Sequence, residues 1–243
     1  MKAPQVSLVP TASLTETLRA GVDRVFRAAF QVPPGRDDIL SPYFAKFGQV
    51  LLVTNGAELL AFQFYRHARI GARDVHHFSL AACLPDSAFR GVQRRIGRFL
   101  IGHAILSTPP TRPLYLAGVT NSSRSYANMY AIGRTRFPDI LDADAANPFG
   151  DYYVQVADQL GLPRPDARGI LPGRMQQIGF SLRRDLSDGG KLANAYLDYV
   201  GGDVDQGVFT LVRVVPLADV PRYLLRQLAR YAGSRGAGRG TAE

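Results

Sequence analysis

The chain has 243 residues, 46% of them apolar and 20% charged, a globular composition that excludes a disordered or fibrous protein. Lys plus Arg number 29 against 20 Asp plus Glu, a net charge of +9 carried almost wholly by arginine. The single cysteine, Cys83, excludes an internal disulfide and a thiolate zinc cluster, and no apolar run approaches the ~18 residues of a membrane span.

The opening residues, MKAPQVSLVP, lack the continuous apolar stretch of a signal peptide, so a soluble, cytoplasmic protein is expected. The first periodic segment runs from Ser13 to Phe30. Leu14, Leu18, Val22, Val25, Phe26 and Ala29 share one helical face, with Ser13 and Glu16 spaced as a capping box. Pro33-Pro34-Gly35 ends it, and a shorter helix is expected over Asp38–Phe47. The period then changes. Gln49–Thr54, Glu58–His67 and Val75–Leu84 read as three strands of an antiparallel meander, with Asn55-Gly56 and Gly71 at the turns.

Pro85 breaks the third strand, and Phe89–Leu106 reads as a long amphipathic helix, rich in arginine near its start. Leu114–Val119 is a short buried strand and Ser123–Ile132 a helix carrying Tyr126, Met129 and Tyr130 on one side. The segment Arg136–Pro172 is irregular, with one helix at Tyr152–Leu160, and reads as an insertion long enough to cover a site. A last strand, Gly207–Val215, and a helix, Val220–Tyr231, follow; Ala232–Glu243 reads as a disordered tail. Together these predict one α/β (α+β) domain over residues 1–231. Its central sheet is mixed but mostly antiparallel, flanked by helices on both faces.

The strings LAACLPDSAFRGVQRRIGRFL at 80–100 and LYLAGVTNSSRSYANMYAIG at 114–133 resemble the core of the GNAT (general N-acetyltransferase) superfamily. The first looks like that fold's fourth strand, pyrophosphate loop and third helix, the second like its fifth strand and fourth helix. The resemblance covers residues 13–135 and implies an acyl-CoA N-acyltransferase-like fold with acyl transfer from a thioester to a small-molecule or peptide amine. It implies that Leu80, Ala81, Ala82 and Cys83 lie beside the pantetheine arm. A free N–H near Ala81–Cys83 would stabilise the oxyanion. Arg90, Gly91, Arg94, Arg95 and Gly97 would meet the pyrophosphate, with Arg98 adding charge. Asn121 and Tyr126 would line the donor site, and Tyr130 would protonate the leaving thiolate, with Tyr126 one turn earlier as the fallback acid.

The family's loop reads Arg/Gln-x-x-Gly-x-Gly/Ala. Here, aligned on Phe89-Arg90-Gly91, the two small positions fall on Gln93 and Arg95; aligned on Gly97, the last falls on Phe99. Two donors therefore stay open: acetyl-CoA or another acyl-CoA, and acyl-phosphopantetheine on an acidic acyl carrier protein, which the +9 charge would steer.

His76 and His77 must point to opposite faces of their strand, and His77 is the candidate base. Each also reads as a hydrogen-bonded structural histidine, and Tyr126 and Tyr130 as core aromatics. Asp142/Asp144 and Asp203/Asp205 sit in turn-rich segments and carry little weight as metal ligands. The arginines lack the aromatic interleaving of an RNA-binding sheet, which sets nucleic acid aside. A repurposed thioester-handling or tailoring enzyme, or a non-catalytic binding module, are the alternative functions.

Overall fold

The computed structural model describes residues 4–225 apart from 33–34, 37, 86–90, 122, 131, 172–180, 183–190 and 204–205. At 93, 94, 123, 124, 128, 130, 181, 182, 191 and 193 it describes the backbone alone. In chain order the elements are β1 (Gln5–Pro10), α1 (Glu16–Ala29), β2 (Phe30–Gln31), α2 (Ser41–Lys46), β3 (Gln49–Asn55), β4 (Glu58–Ile70) and β5 (Arg73–Cys83). Then come α3 (Val92–Leu106), β6 (Leu114–Thr120), α4 (Ser123–Tyr130), β7 (Thr135–Phe137), α5 (Asp151–Gln159), β8 (Ile170–Leu171), β9 (Ser181–Leu182), α6 (Lys191–Tyr199) and β10 (Gly207–Val214). Residues 216–225 are helical, and the rest of the expected helix to Tyr231, with the tail, lies outside the described residues.

The main sheet has the order β1-β3-β4-β5-β6-β10-β7, with β8 also on β10. Every pair is antiparallel except β5 and β6, which run parallel. A parallel neighbour requires a crossover, and α3 supplies it. The two hairpin turns place Gly56 and Gly71 at φ values of 63° and 60°, a region that glycine enters without steric cost.

β4 shows how the sheet divides the core. Ala61 and Tyr65 join a cluster with Val92, Ile96, Leu100 and Ala104 of α3. Phe62 and Phe64 point the other way, into a cluster with Val22, Val25 and Phe26 of α1. A third cluster on the α1 side gathers Tyr153, Val156 and Ala157 of α5 over Val75, Tyr115 and Phe209. The period-2 alternation of a strand buried on both sides accounts for this division.

The structure corrects several expectations. Helix α1 begins later than expected, because the Thr15 side chain, not Ser13, accepts the Leu18 N–H. Pro42 falls in the first turn of α2, where its missing N–H costs nothing. The insertion's helix α5 packs over the starts of β5 and β6 instead of covering their far ends. The short strands β2, β7, β8 and β9 had no counterpart in the sequence expectations, nor had two longer elements: edge strand β1, paired with β3, and α6, whose Tyr196 and Tyr199 pack with Tyr126 and Ile140.

Gly133 marks the tightest packing between α4 and β10. A Cβ there would lie 2.4 Å from Val212 Cγ1 and 2.5 Å from the Arg213 carbonyl oxygen. The carbonyl belongs to a paired strand and cannot swing aside. Gly133→Ala should therefore destabilise the fold by about 1–3 kcal/mol, read as a lower urea midpoint at unchanged m-value.

Candidate functional site

The parallel ladder between β5 and β6 is short. It joins Asp74–Phe78 to Leu114–Gly118 and stops, although β5 continues to Cys83 and β6 to Thr120. At the last pair the strands are close. A Cβ on Gly118 would sit 3.0 Å from the Phe78 carbonyl oxygen and 3.2 Å from Met129 Sδ, so glycine permits the contact. Beyond it the strands part.

The reason lies on the other side of β5. Against β4, Phe78 pairs with Tyr65 and Ala81 with Gln63. Two β5 residues, Ser79 and Leu80, thus stand opposite the single Phe64, which is a β-bulge. The extra residue changes which side chains face which cluster. Phe78 packs on the α3 side, yet Leu80, Ala82 and Leu84 all pack on the α1 side. Without an inserted residue Phe78 and Leu80 would share a face.

Two hydrogen bonds fix the main-chain directions. The Leu84 N–H donates to the Leu60 carbonyl at 2.9 Å, so Leu84 and, two residues back, Ala82 face β4. Cys83 between them and Ala81 just before them turn their N–H and C=O away from β4, toward the opening. On the far edge, the Phe209 N–H donates to the Gly169 carbonyl at 2.9 Å, and the Phe209 carbonyl accepts from the Tyr153 hydroxyl. Phe209 therefore faces away from β6, and its ladder partner Val119 faces away from β10, toward β5. The opening is a wedge with main-chain polar groups on both walls.

Helix α3 starts near the end of β5. Gly91 occupies its N-cap at φ 92°, a conformation that favours glycine, and the Arg95 N–H donates to the Gly91 carbonyl at 3.0 Å. Val92, Ile96 and Leu100 anchor the helix to the sheet. Its first-turn N–H groups have no intrahelical acceptor, which makes this end electropositive. Gly97 and Phe99 lie in the second turn, where backbone N–H groups are used within the helix, so the alignment anchored on Gly97 is set aside. Arg95 and Arg98 are exposed. Arg90 and the side chain of Arg94 lie outside the described residues.

The remaining candidates divide. His76 and His77 do point to opposite faces. His77 is 1% exposed, on the α1 side, with its ring 5.2 Å from that of Phe47 and its backbone paired with Ala117, one residue short of the split. His76 lies on the α3 side with a full set of partners. The Tyr65 hydroxyl is 2.6 Å from Nδ1 and Thr108 Oγ1 is 3.3 Å from Nε2. Thr108 donates its own proton to the Ala104 carbonyl, so it accepts from Nε2, and Nδ1 accepts from Tyr65. Asn121 follows β6 directly and is half-buried. Tyr126 is fully buried; its hydroxyl donates to the Pro138 carbonyl at 2.8 Å and accepts the Ile140 N–H at 3.2 Å, a packing role in place of a donor contact. The Tyr130 side chain lies outside the described residues. Asp142 and Asp144 are exposed, Asp203 bonds Gln206, and Asp205 lies outside the described residues. No group of three or more metal-ligating side chains forms among the described residues. No described helix is long and apolar enough to cross a membrane.

Two contributors had weak sequence signals. Val119 enters through its backbone, which no side-chain pattern reveals. Gln63 is a lone polar residue between Phe62 and Phe64, and its amide nitrogen lies 3.3 Å from the Ser79 carbonyl.

No family model and no curated protein matches the chain. Among solved structures it resembles GNAT acetyltransferases. A GNAT family acetyltransferase from Brucella melitensis in complex with acetyl-CoA is 16% identical, covers 50% of this chain and 81% of its own, with a TM-score of 0.34. An acyl-CoA N-acyltransferase from Pseudomonas aeruginosa is also 16% identical, covering 54% and 88%, with a TM-score of 0.37. ElaA from Escherichia coli is 13% identical, covering 51% and 84%, with a TM-score of 0.38. Scores this low say nothing about chemistry, which the strands themselves must carry.

Burial lowers the His76 pKa from 6.5 to about 4; His67 and His103 push it further down and Asp74 opposes them. The unfolded chain therefore takes up a proton that the folded chain refuses. The stability conferred is complete above pH 6.5 and is lost as pH falls toward 4. In urea unfolding between pH 7 and 4.5, His76→Gln should lose less stability than the wild type. Parallel pH profiles would show that His76 is not buried neutral.

Proposed function

We propose that the chain is an acyltransferase that moves an acyl group from a coenzyme A thioester to an amine. The observation that supports this most is the wedge, where Ala81 and Val119 turn main-chain groups toward each other across strands that have ceased to pair. An extended pantetheine arm carries amides that pair with such edges as an added strand does. The amides of the first turn of α3, capped by Gly91, suit the pyrophosphate at the arm's other end.

The donor's thioester carbonyl would lie against the Ala81 N–H, which stabilises the oxyanion as the amine attacks. The C–N bond forms, the tetrahedral centre collapses and the C–S bond breaks. The Tyr130 hydroxyl gives its proton to the departing thiolate, and His77 takes the proton that the amine loses. The acceptor would approach from the face of α1 and α2, on which His77 lies. Most of the acceleration comes from holding two reactants in one geometry across the split.

A second donor class is favoured by one departure from the family pattern, the side chains Gln93 and Arg95 at positions where a phosphate loop carries small residues. A carrier-borne phosphopantetheine needs no adenosine diphosphate site. Titration calorimetry with coenzyme A and with an acyl carrier protein separates the two.

Ala81→Pro removes the N–H that faces the wedge but none that faces β4, so the fold is retained. It should lower acyl transfer by about 10²-fold or more, with melting temperature little changed. Tyr130→Phe should lower kcat by about 10²-fold with unchanged coenzyme A affinity. Full activity in both variants would refute the reading.

A further inference from the structure

We infer that Gln63 is the positioning residue of the donor edge, its side-chain amide holding the extra residue of β5 in the one register that turns Ala81 toward the wedge. The inference rests on the acyl-transfer reading for its purpose, though not for its geometry.

On the α3 side of β4 the successive residues are Ala61, Gln63 and Tyr65. The first and last belong to the apolar core, and Gln63 stands half-buried between them. A primary amide in such surroundings is costly unless its hydrogen bonds are made. Gln63 Nε2 makes one to the Ser79 carbonyl at 3.3 Å. Ser79 is half of the bulge, opposite Phe64, and a bulged residue has no ladder partner of its own on the opposing strand. Gln63 thus supplies from a side chain a donor to the carbonyl of a bulged residue.

This bond selects between two registers. With the bulge, Leu80, Ala82 and Leu84 face the α1 cluster and the Ala81 main chain faces the wedge. With the bulge slipped out, every residue from 80 onward would turn to the other face. The Ala81 N–H would then point at β4 and leave the donor edge. Apolar side chains at 80, 82 and 84 resist the slip but cannot specify it sharply, because Ala81 and Cys83, which would replace them, are also small and apolar. Gln63 is the polar group that distinguishes the registers.

The test is Gln63→Met, close in volume and without the donor. Two measurements are made on the full chain: affinity for coenzyme A and for adenosine 3′,5′-bisphosphate, which has no pantetheine arm, and residue-resolved amide exchange over 79–84. The variant should bind coenzyme A at least about tenfold more weakly, with the bisphosphate affinity within about twofold of wild type. In the wild type the Leu84 and Ala82 amides should be protected and Ala81 fast; in the variant this alternation should blur or invert. Unchanged coenzyme A affinity together with an unchanged exchange pattern would overturn the inference, as would an equal loss of both ligands, which would signal general unfolding. If the wild-type chain binds no coenzyme A, the reading of coenzyme A as donor fails, and the exchange pattern alone decides whether Gln63 sets the register.

Discussion

A parallel pair of strands can be forced apart only if each still has a partner on its other side, and that constraint organises this molecule. β5 keeps β4 and β6 keeps β10 beyond the point where they leave each other. Neither strand becomes an isolated edge, so the opening costs few hydrogen bonds beyond those facing it. The bulge at Ser79–Leu80 adds local twist and bends β5 out of the common plane. Gly118 marks the hinge, since its missing side chain lets the last rung of the ladder close against Phe78 and Met129 before the strands diverge.

The two walls are held by different means. β5 is held by apolar side chains on both faces, with Phe78 on α3 and Leu80, Ala82 and Leu84 on the α1 cluster. β6 is held near its end by polar contacts. The Tyr196 hydroxyl of α6 donates to the Thr120 carbonyl at 2.8 Å, and Thr120 Oγ1 donates to the Val208 carbonyl at 3.3 Å. Burial raises the Tyr196 pKa, so this phenol remains a proton donor at any physiological pH. A wall fixed by hydrogen bonds at its tip and a wall fixed by packing along its length can keep a gap open without a ligand to fill it.

Much of the frame was legible in the sequence because it rests on local rules. Alternating apolar strands, Asn55-Gly56, Gly71 and the amphipathic spacing of α3 each have a short-range physical cause, and the meander and crossover followed from them. β1 was missed because six residues at an edge, with Val6 and Leu8 packed on one face and Val9 on the other, carry little periodicity. α6 was missed because Leu192, Tyr196, Tyr199 and Val200 are spaced as a helix but lie amid turn-forming residues. The bulge was not legible at all. The string FSLAAC contains no glycine or proline to announce it, and the phase change shows only in which cluster each side chain joins. Tyr126 and Tyr130 could not be ranked by spacing, being one turn apart; what separates them is that Pro138 and Ile140 occupy the Tyr126 hydroxyl.

The insertion packs on the α1 face of the sheet without roofing the wedge. Its helix α5 ends in carbonyls that side chains from two other elements reach. Lys46 Nζ of α2 donates to the Gly161 carbonyl at 3.2 Å, and Arg66 Nη2 of β4 donates to the Gln159 carbonyl at 3.4 Å. Cations suit that end of a helix, where unsatisfied carbonyls and the dipole are both negative. These contacts tie α5 to α2, and α2 leads directly into Phe47, whose ring stands against His77. The position of the insertion is therefore coupled to the cover over His77 through one short helix. On this geometry the cover over His77 is governed by how α2 sits, with the insertion acting as its brace.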